Sequence, residues 1–309
     1  MARRFLVAFI VLCTATPGPA AQDTPVFEVE LDVVNVTVTV RDEDGNLVSD
    51  LEAGDFVVKE DGREQALEVF APAADPEERE ELVLNLGMLF DTSSSMRENL
   101  ELSQRSAIRF LDSIPRARDL ILIFFDRDIR ISRYSSENQQ GIFERILETE
   151  GEGFTALYDS IAVYVSRVMG TPGRKVLVLF TDGDDTTSST SRAEVVQLVR
   201  STNVTIYPIA FTGDRRSGSR IEVTARAFLG ELARSSGGKV FRPLAYRELA
   251  DIYNRILDEL NGQYVLGYVS DNPERDGKYR RLEVQLRRDD LRLRHRPGYN
   301  APEELGPEG

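Results

Sequence analysis

The chain is short of the residues that carry thiol, imidazole and indole chemistry: one cysteine, one histidine and no tryptophan in 309 residues. A single thiol, Cys13, closes no disulfide within the chain, and it sits in a segment that reads as a removable leader, which leaves the rest without thiolate chemistry. His295 stands far along the chain from the other chemistry-bearing residues and reads as a structural or surface histidine. Positive charge is scarce as well, since 38 Lys and Arg face 52 Asp and Glu for a formal charge of -14. That balance argues against phosphate backbones and anionic lipid headgroups as partners and favours solubility or cationic ligands. Beyond the first residues, no run is apolar enough to span a bilayer.

What is present begins with MARRFLVAFIVLCTATPGPAAQ, which has basic Arg3 and Arg4, an apolar stretch from Phe5 to Cys13, and small residues at Gly18 and Ala20. This is the layout of a secretory signal over residues 1–20, so the protein is expected to be exported, periplasmic or secreted. Cleavage after Ala20 removes two arginines and takes the charge from -14 to -16. Residues 22–75 read as a small β module: VNVTVTV, Val34 to Val40, alternates with period two, and DEDGN and EDGR are turns. The Asp42, Asp44, Asn46 spacing does not suit a calcium loop, because Gly45 stands fourth, not sixth. Residues 76–82 read as an acidic linker. After the region 83–262 the chain returns to strands over 263–300, ending in LRLRHRPGY, and residues 301–309 make a tail expected to fray. The arginines from Arg287 to Arg296 alternate with leucines, as an edge strand guarded by charge does.

Between 83 and 262, continuous apolar strands such as LVLNLGMLF, DLILIFFD, RKVLVLFTD and NVTIYPIAF alternate with amphipathic helices. The pattern predicts an α/β fold with a doubly wound, mostly parallel, Rossmann-like sheet, and DIRISRYSS as an antiparallel edge strand. Ligands of such sheets bind outside the carboxyl ends of the strands. Asp91, Ser93 and Ser95 follow the first strand, Thr155 precedes a helix in GEGFTALYDS, and Asp182 ends a strand in FTDGDDTTSS. Two carboxylates and three hydroxyls are hard oxygen donors, suited to magnesium or manganese and poorly suited to zinc. A D-x-S-x-S run alone also describes an N-cap cluster that satisfies free helix amides; the threonine and the second aspartate at strand ends turn the reading towards a metal. Asp184 and Asp185 read as solvated loop charges, and Asp159 as a first-turn helix acid or an orienter of the Thr155 loop.

These residues resemble the von Willebrand factor type A domain and its metal-ion-dependent adhesion site. Asp91, Ser93 and Ser95 match D-x-S-x-S, Thr155 the separate threonine, and Asp182 the separate aspartate. The flanks, LEAGDFVVKEDGREQ before and GQYVLGYVS to RHRPGY after, resemble bacterial relatives of the acidobacterial type. The resemblance implies that Ser93, Ser95 and often Thr155 coordinate a divalent ion (Mg2+, or Mn2+ or Ca2+) directly, while Asp91 and Asp182 act largely through water. Neutral hydroxyls leave the ion electrophilic, so it accepts an outside carboxylate.

The expected function is thus a non-enzymatic binding or adhesion-type protein whose metal takes a glutamate or aspartate of a protein partner. The alternative is a structural scaffold of an envelope assembly, in which the flanking β segments make the contacts and the ion only orders loops. A metal-dependent hydrolase is a weaker option: a haloacid dehalogenase-type phosphatase needs a second acid where Ser93 stands. There is no G-x-S-x-G elbow, no H-E-x-x-H and no phosphate loop, and serines stand where a dinucleotide site needs glycines.

Overall fold

The computed structural model describes residues 33–73, 84–96, 119–135, 139–147, 153–211, 220–243 and 248–303, with part of a helix between 100 and 111. The expected leader, the linker 76–82 and the last six residues lie outside them.

The centre is a five-stranded sheet of order β7-β6-β5-β8-β9. Its strands are β5 (Leu84–Asp91), β6 (Asp119–Phe125), β7 (Ile129–Ser135), β8 (Arg174–Thr181) and β9 (Val204–Ala210). β5 pairs in parallel with β6 and β8, β8 in parallel with β9, and β7 runs antiparallel on the edge of β6. The near-continuous burial of β5, β6, β8 and β9 reflects their apolar runs, since helices cover both faces. On one face lie the helix at 100–111 (α1), α2 (Gln139–Leu147) and α6 (Leu249–Asn261), sharing a core with Met88, Phe90, Val178 and Phe180. On the other lie α3 (Leu157–Val168), α4 (Arg192–Arg200) and α5 (Arg220–Ser236), packed on Leu89, Ile123, Leu177 and Leu179. Helix α4 starts at Ser191 with a capping box to Glu194, which satisfies two otherwise free N–H groups.

Close approach of α3 to β5 depends on Gly87: a Cβ there would stand 2.1 Å from the Tyr164 ring. The Tyr164 hydroxyl donates to Val176 O at 2.8 Å, which fixes that ring across β5 and β8.

The flanking strands build two more sheets, and each mixes the two ends of the chain. One has the order β12-β1-β10-β4, the other β13-β11-β2-β3. In the first, β1 (Val33–Arg41) pairs antiparallel with β10 (Gln263–Val269) from Val33↔Val269 to Thr39↔Gln263, with β4 (Val69–Ala71) and β12 (Arg292–Arg294) at the edges. In the second, β2 (Phe56–Glu60) pairs with β11 (Tyr279–Leu286) and with β3 (Arg63–Gln65), while β13 (Gly298–Asn300) pairs with β11. The β2–β3 loop is Asp61-Gly62, both at positive φ, as a two-residue hairpin turn of the mirror-image type requires. The two sheets share one core, in which Val36, Val38, Tyr264 and Tyr268 meet Phe56, Val58, Leu282 and Tyr299.

LRLRHRPGY is two strands, not one: β12 and β13 lie in different sheets. The chain turns at Arg296-Pro297, where proline offers no ladder N–H. Nor are the last arginines guards in water. Arg296 is buried and donates to Thr202 O and Asn35 O, both at 2.8 Å, and Arg294 pairs with the buried Glu259. His295, expected to be structural or on the surface, is half-buried and accepts from the Val284 N–H through Nε2 at 3.3 Å.

Candidate metal centre

β5 lies between β6 and β8, and the chain leaves β5 towards one face and β8 towards the other, so a crevice forms at their carboxyl ends. Asp91 closes β5 and is only 1 % exposed. Its Oδ1 accepts the Ser93 N–H at 3.0 Å and its Oδ2 the Thr181 hydroxyl at 2.7 Å. The chain then enters a short 3-10 turn, Ser94–Met96, which sets Ser93 Oγ and Ser95 Oγ 3.1 Å apart. Ser93 is buried and Ser95 exposed, so the pair leads from the interior to the surface.

Asp182 follows β8 directly and is half-buried; its Oδ1 accepts the Asp184 N–H at 3.1 Å. Thr155 is buried ahead of α3 and reaches the site through its neighbours. Its N–H donates to Thr186 Oγ1 at 2.9 Å, and its carbonyl accepts the Thr186 and Thr187 N–H groups at 2.9 and 3.2 Å. Two residues earlier, the Gly153 carbonyl accepts from the Ser94 N–H and hydroxyl at 3.4 and 3.3 Å. Asp91, Ser93 and Ser95 are thus linked directly, Asp182 stands beside Asp91 through Thr181, and Thr155 is tied to both loops by backbone contacts. No hydrogen bond joins the Thr155 side chain to another described residue, which leaves its hydroxyl uncommitted.

Electrostatics set this cluster apart. Burial pushes the Asp91 carboxyl up to about 7 against the pull of hydrogen bonds from Ser93 and Thr181, and the Asp182 charge pushes the same way. The Asp184 carboxyl is raised too, by burial and then by Asp182. Among the described residues no arginine or lysine pairs with Asp91, Asp182 or Asp184. No group of three or more His, Cys, Asp and Glu side chains with metal-holding geometry occurs among them either. A cation held here would therefore draw on hydroxyls as well as on carboxylates, and the donor set of Asp91, Ser93, Ser95, Thr155 and Asp182 fits a hard divalent ion.

The supporting layer contains residues that the sequence reading passed over. Thr92 donates to Phe125 O at 3.0 Å, and Arg130 Nη2 reaches Thr92 Oγ1 at 3.0 Å and Asp126 Oδ2 at 2.7 Å. Burial works against the Asp126 charge, yet Arg130 and the Asp128 N–H hold its carboxyl below the usual range. Its carbonyl accepts the Ala156 N–H at 2.7 Å, which anchors the Thr155 loop to the end of β6. Asp126 directly follows a strand, as Asp182 does, and that position was the signal available in the sequence.

Asp185, read as a solvated loop charge, and Asp159, which does stand in the first turn of α3, form a reciprocal clasp. Asp185 Oδ1 accepts the Tyr158 N–H at 3.1 Å and the Ser188 hydroxyl at 2.6 Å. The Asp159 carboxylate accepts the Ser189 and Thr190 N–H groups at 2.9 and 2.8 Å, so it holds the loop after Asp182, where the Thr155 loop was the expected one. The clasp fastens the start of α3 to the loop that carries Asp182.

A family model described as von Willebrand factor type A domain matches residues 85–255. The chain belongs to that family. No curated protein matches it. Among solved structures, the von Willebrand factor type A protein from Catenulispora acidiphila aligns at 12% identity over 82% of this chain and 76% of that one, with a TM-score of 0.49. Proximal thread matrix protein 1 from the mussel byssus, with zinc in its MIDAS motif, aligns at 20% identity over 59% of this chain and a TM-score of 0.45; the match spans 46% of the mussel chain, less than half. The pilus adhesin SpaC from Lactobacillus rhamnosus GG aligns at 9% identity, covering 88% of this chain and 50% of its own, with a TM-score of 0.49. In this von Willebrand A domain the expected α/β architecture is present, with β7 as its antiparallel edge. Among the described residues, no helix is long and apolar enough to cross a membrane.

Proposed function

We propose that the protein is an exported, non-enzymatic binding protein in which Ser93, Ser95 and Thr155, backed by Asp91 and Asp182, hold a divalent cation, magnesium first and manganese or calcium next. The ion takes an aspartate or glutamate of a protein partner into its shell. The observation that carries this reading is the Asp91 carboxyl: it is buried, raised to about 7 and beside a second acid, with no cationic side chain paired with it among the described residues. A metal ion supplies that missing charge when bound. This chain's own residues do the positioning: the Ser93 N–H and the Thr181 hydroxyl aim the Asp91 carboxylate, and the Asp159–Asp185 clasp fixes the Asp182 loop.

The rim suits a protein partner. Ser95 is exposed, and Phe154, next to Thr155, leaves 61% of its surface in water. An exposed aromatic beside a charged acceptor is the kind of anchor that interfaces bury. The scaffold alternative draws on the β-sandwich, which both flanks build together.

Calorimetric titration of the protein with magnesium chloride tests the metal reading, followed by a short glutamate-containing peptide with and without chelator. One saturable ion that disappears in Ser93→Ala, and peptide binding that needs the ion, are the expected results. Absence of saturable uptake by the wild type would defeat the metal site. Uptake without any carboxylate dependence would favour the scaffold.

A further inference from the structure

The chain is acidic overall, yet one cavity is strongly basic. It has a volume of about 530 Å3 and lies between the end of α5 with the following segment and the β1/β12 edge of the sandwich. Six cationic side chains line it: Arg41, Arg234, Lys239, Arg242, Arg292 and Arg294. Among the described residues, the acids in the lining are Asp42 and Glu43. Asp42 is already engaged, since its carboxylate accepts the Asn46 N–H at 2.7 Å and the Asn46 amide at 3.0 Å.

Among the described residues, one buried carboxylate compensates the cations. Glu259 pairs with both Arg41 and Arg294, and it also accepts the Tyr207 hydroxyl at 2.8 Å. Arg234, Lys239, Arg242 and Arg292 have no ion pair among the described residues. Arg234 lies along the wall, with Nη1 3.3 Å from where a Cβ on Gly230 would stand, so the glycine gives the guanidinium room. Lys239 Nζ and the Arg255 guanidinium both sit against the Phe241 ring, at 5.6 and 5.4 Å from its centroid. Burial and the nearby charge of Arg255 lower the Lys239 pKa, with Arg41 and Arg294 adding to the effect and Glu259 opposing it. Arg294 Nε is buried without a hydrogen-bond partner. Like charges gathered on one concave wall repel one another, and an oxyanion relieves that repulsion. Guanidinium groups bind such groups through paired N–H donors.

We propose that this cavity binds a compact oxyanion carrying two or more negative charges, phosphate or clustered carboxylate, at a site separate from the strand-end metal centre. Its volume lies within the ordinary range for a small-molecule site. Arg234, Arg242 and Arg292 are exposed and supply donors at the rim, while Lys239 and Arg294 are half-buried. Glu43 opposes the ligand.

The test is calorimetric titration of the full chain in metal-free, low-salt buffer with inorganic pyrophosphate, and in a second arm with the tricarboxylate tricarballylate; the arms distinguish phosphate from carboxylate. One-to-one binding to at least one probe is expected, weakened tenfold or more in Arg234→Gln/Arg242→Gln/Arg292→Gln and strengthened severalfold in Glu43→Gln. Added salt weakens the binding steeply. No saturable heat with either probe overturns the proposal, as does equal affinity in a folded triple variant. If the triple variant does not fold, Glu43→Gln decides alone, because an unchanged or weaker affinity there contradicts a cationic site.

Discussion

Replacing Asp159 by asparagine probes the clasp behind the candidate metal centre without touching any proposed ligand. The carboxylate accepts two backbone N–H groups, Ser189 at 2.9 Å and Thr190 at 2.8 Å. Asparagine keeps one acceptor oxygen, but its amide nitrogen must face one of those N–H groups, so one hydrogen bond to a charged acceptor is lost. Such bonds contribute about 1.5–3 kcal/mol; the residue is half-buried, and water recovers part of that, leaving a loss of about 1–2 kcal/mol. The loss should concentrate in the 182–190 loop and appear as faster amide exchange at Ser189 and Thr190. Magnesium affinity should fall by about 10-fold, the lower end of what outer-shell partners contribute. The pH dependence has a definite sign. Burial opposes the Asp159 charge, but the bonds from Ser189 and Thr190 win and hold its pKa below the ordinary value. The wild-type advantage is therefore complete above the unfolded pKa and disappears as the pH falls through the folded one. Denaturant unfolding of both proteins from neutral to acidic pH measures it. An Asp159→Asn protein with unchanged exchange at Ser189 and Thr190, or with a stability deficit that grows towards acid, would refute the reasoning.

Two further predictions concern the scaffold. Glu60 is enclosed between the sheets, accepting the Tyr268 and Tyr299 hydroxyls at 2.6 and 2.8 Å, Ser270 at 2.6 Å and Arg280 at 3.3 Å. Glu60→Gln removes the carboxylate nearest the buried Arg280, which keeps its bonds to the Asn272 and Glu274 carbonyls and a 3.9 Å pair with Asp276, and should cost about 1.5–3 kcal/mol in chemical unfolding; a loss below about 1 kcal/mol would contradict that account. Gly87→Ala places a methyl 2.1 Å from Tyr164, whose hydroxyl is held by Val176 O, and should destabilise the domain by about 1–3 kcal/mol in the same assay. An unchanged midpoint would mean that the ring moves freely.

The legible features were local ones. The alternation of VNVTVTV and the unbroken apolar runs of LVLNLGMLF and RKVLVLFTD announce β1, β5 and β8, because burial on one face or on two leaves different periodicities. The alternating DIRISRYSS likewise signalled the antiparallel β7. Asp91, Ser93 and Ser95 are joined by short-range contacts that their spacing already suggests. Pro297, by contrast, breaks LRLRHRPGY into strands of two sheets, which a run of alternating arginines and leucines disguises.

Sequence by itself determined the order of elements, the oxygen-donor chemistry at the strand ends and the acidity of the chain, since each follows from residue type and spacing. Only the tertiary structure decided that the chain's two flanks interleave in shared sheets, β1 with β10 and β2 with β11. It alone placed Asp159 on the Asp182 loop and gathered six cations into one cavity of an acidic protein. Such pairings join residues that are distant in sequence, up to 261 positions for Arg296 and Asn35. Their partners are chosen by packing and by the need to satisfy buried polar groups, and neither leaves a periodic trace in the sequence.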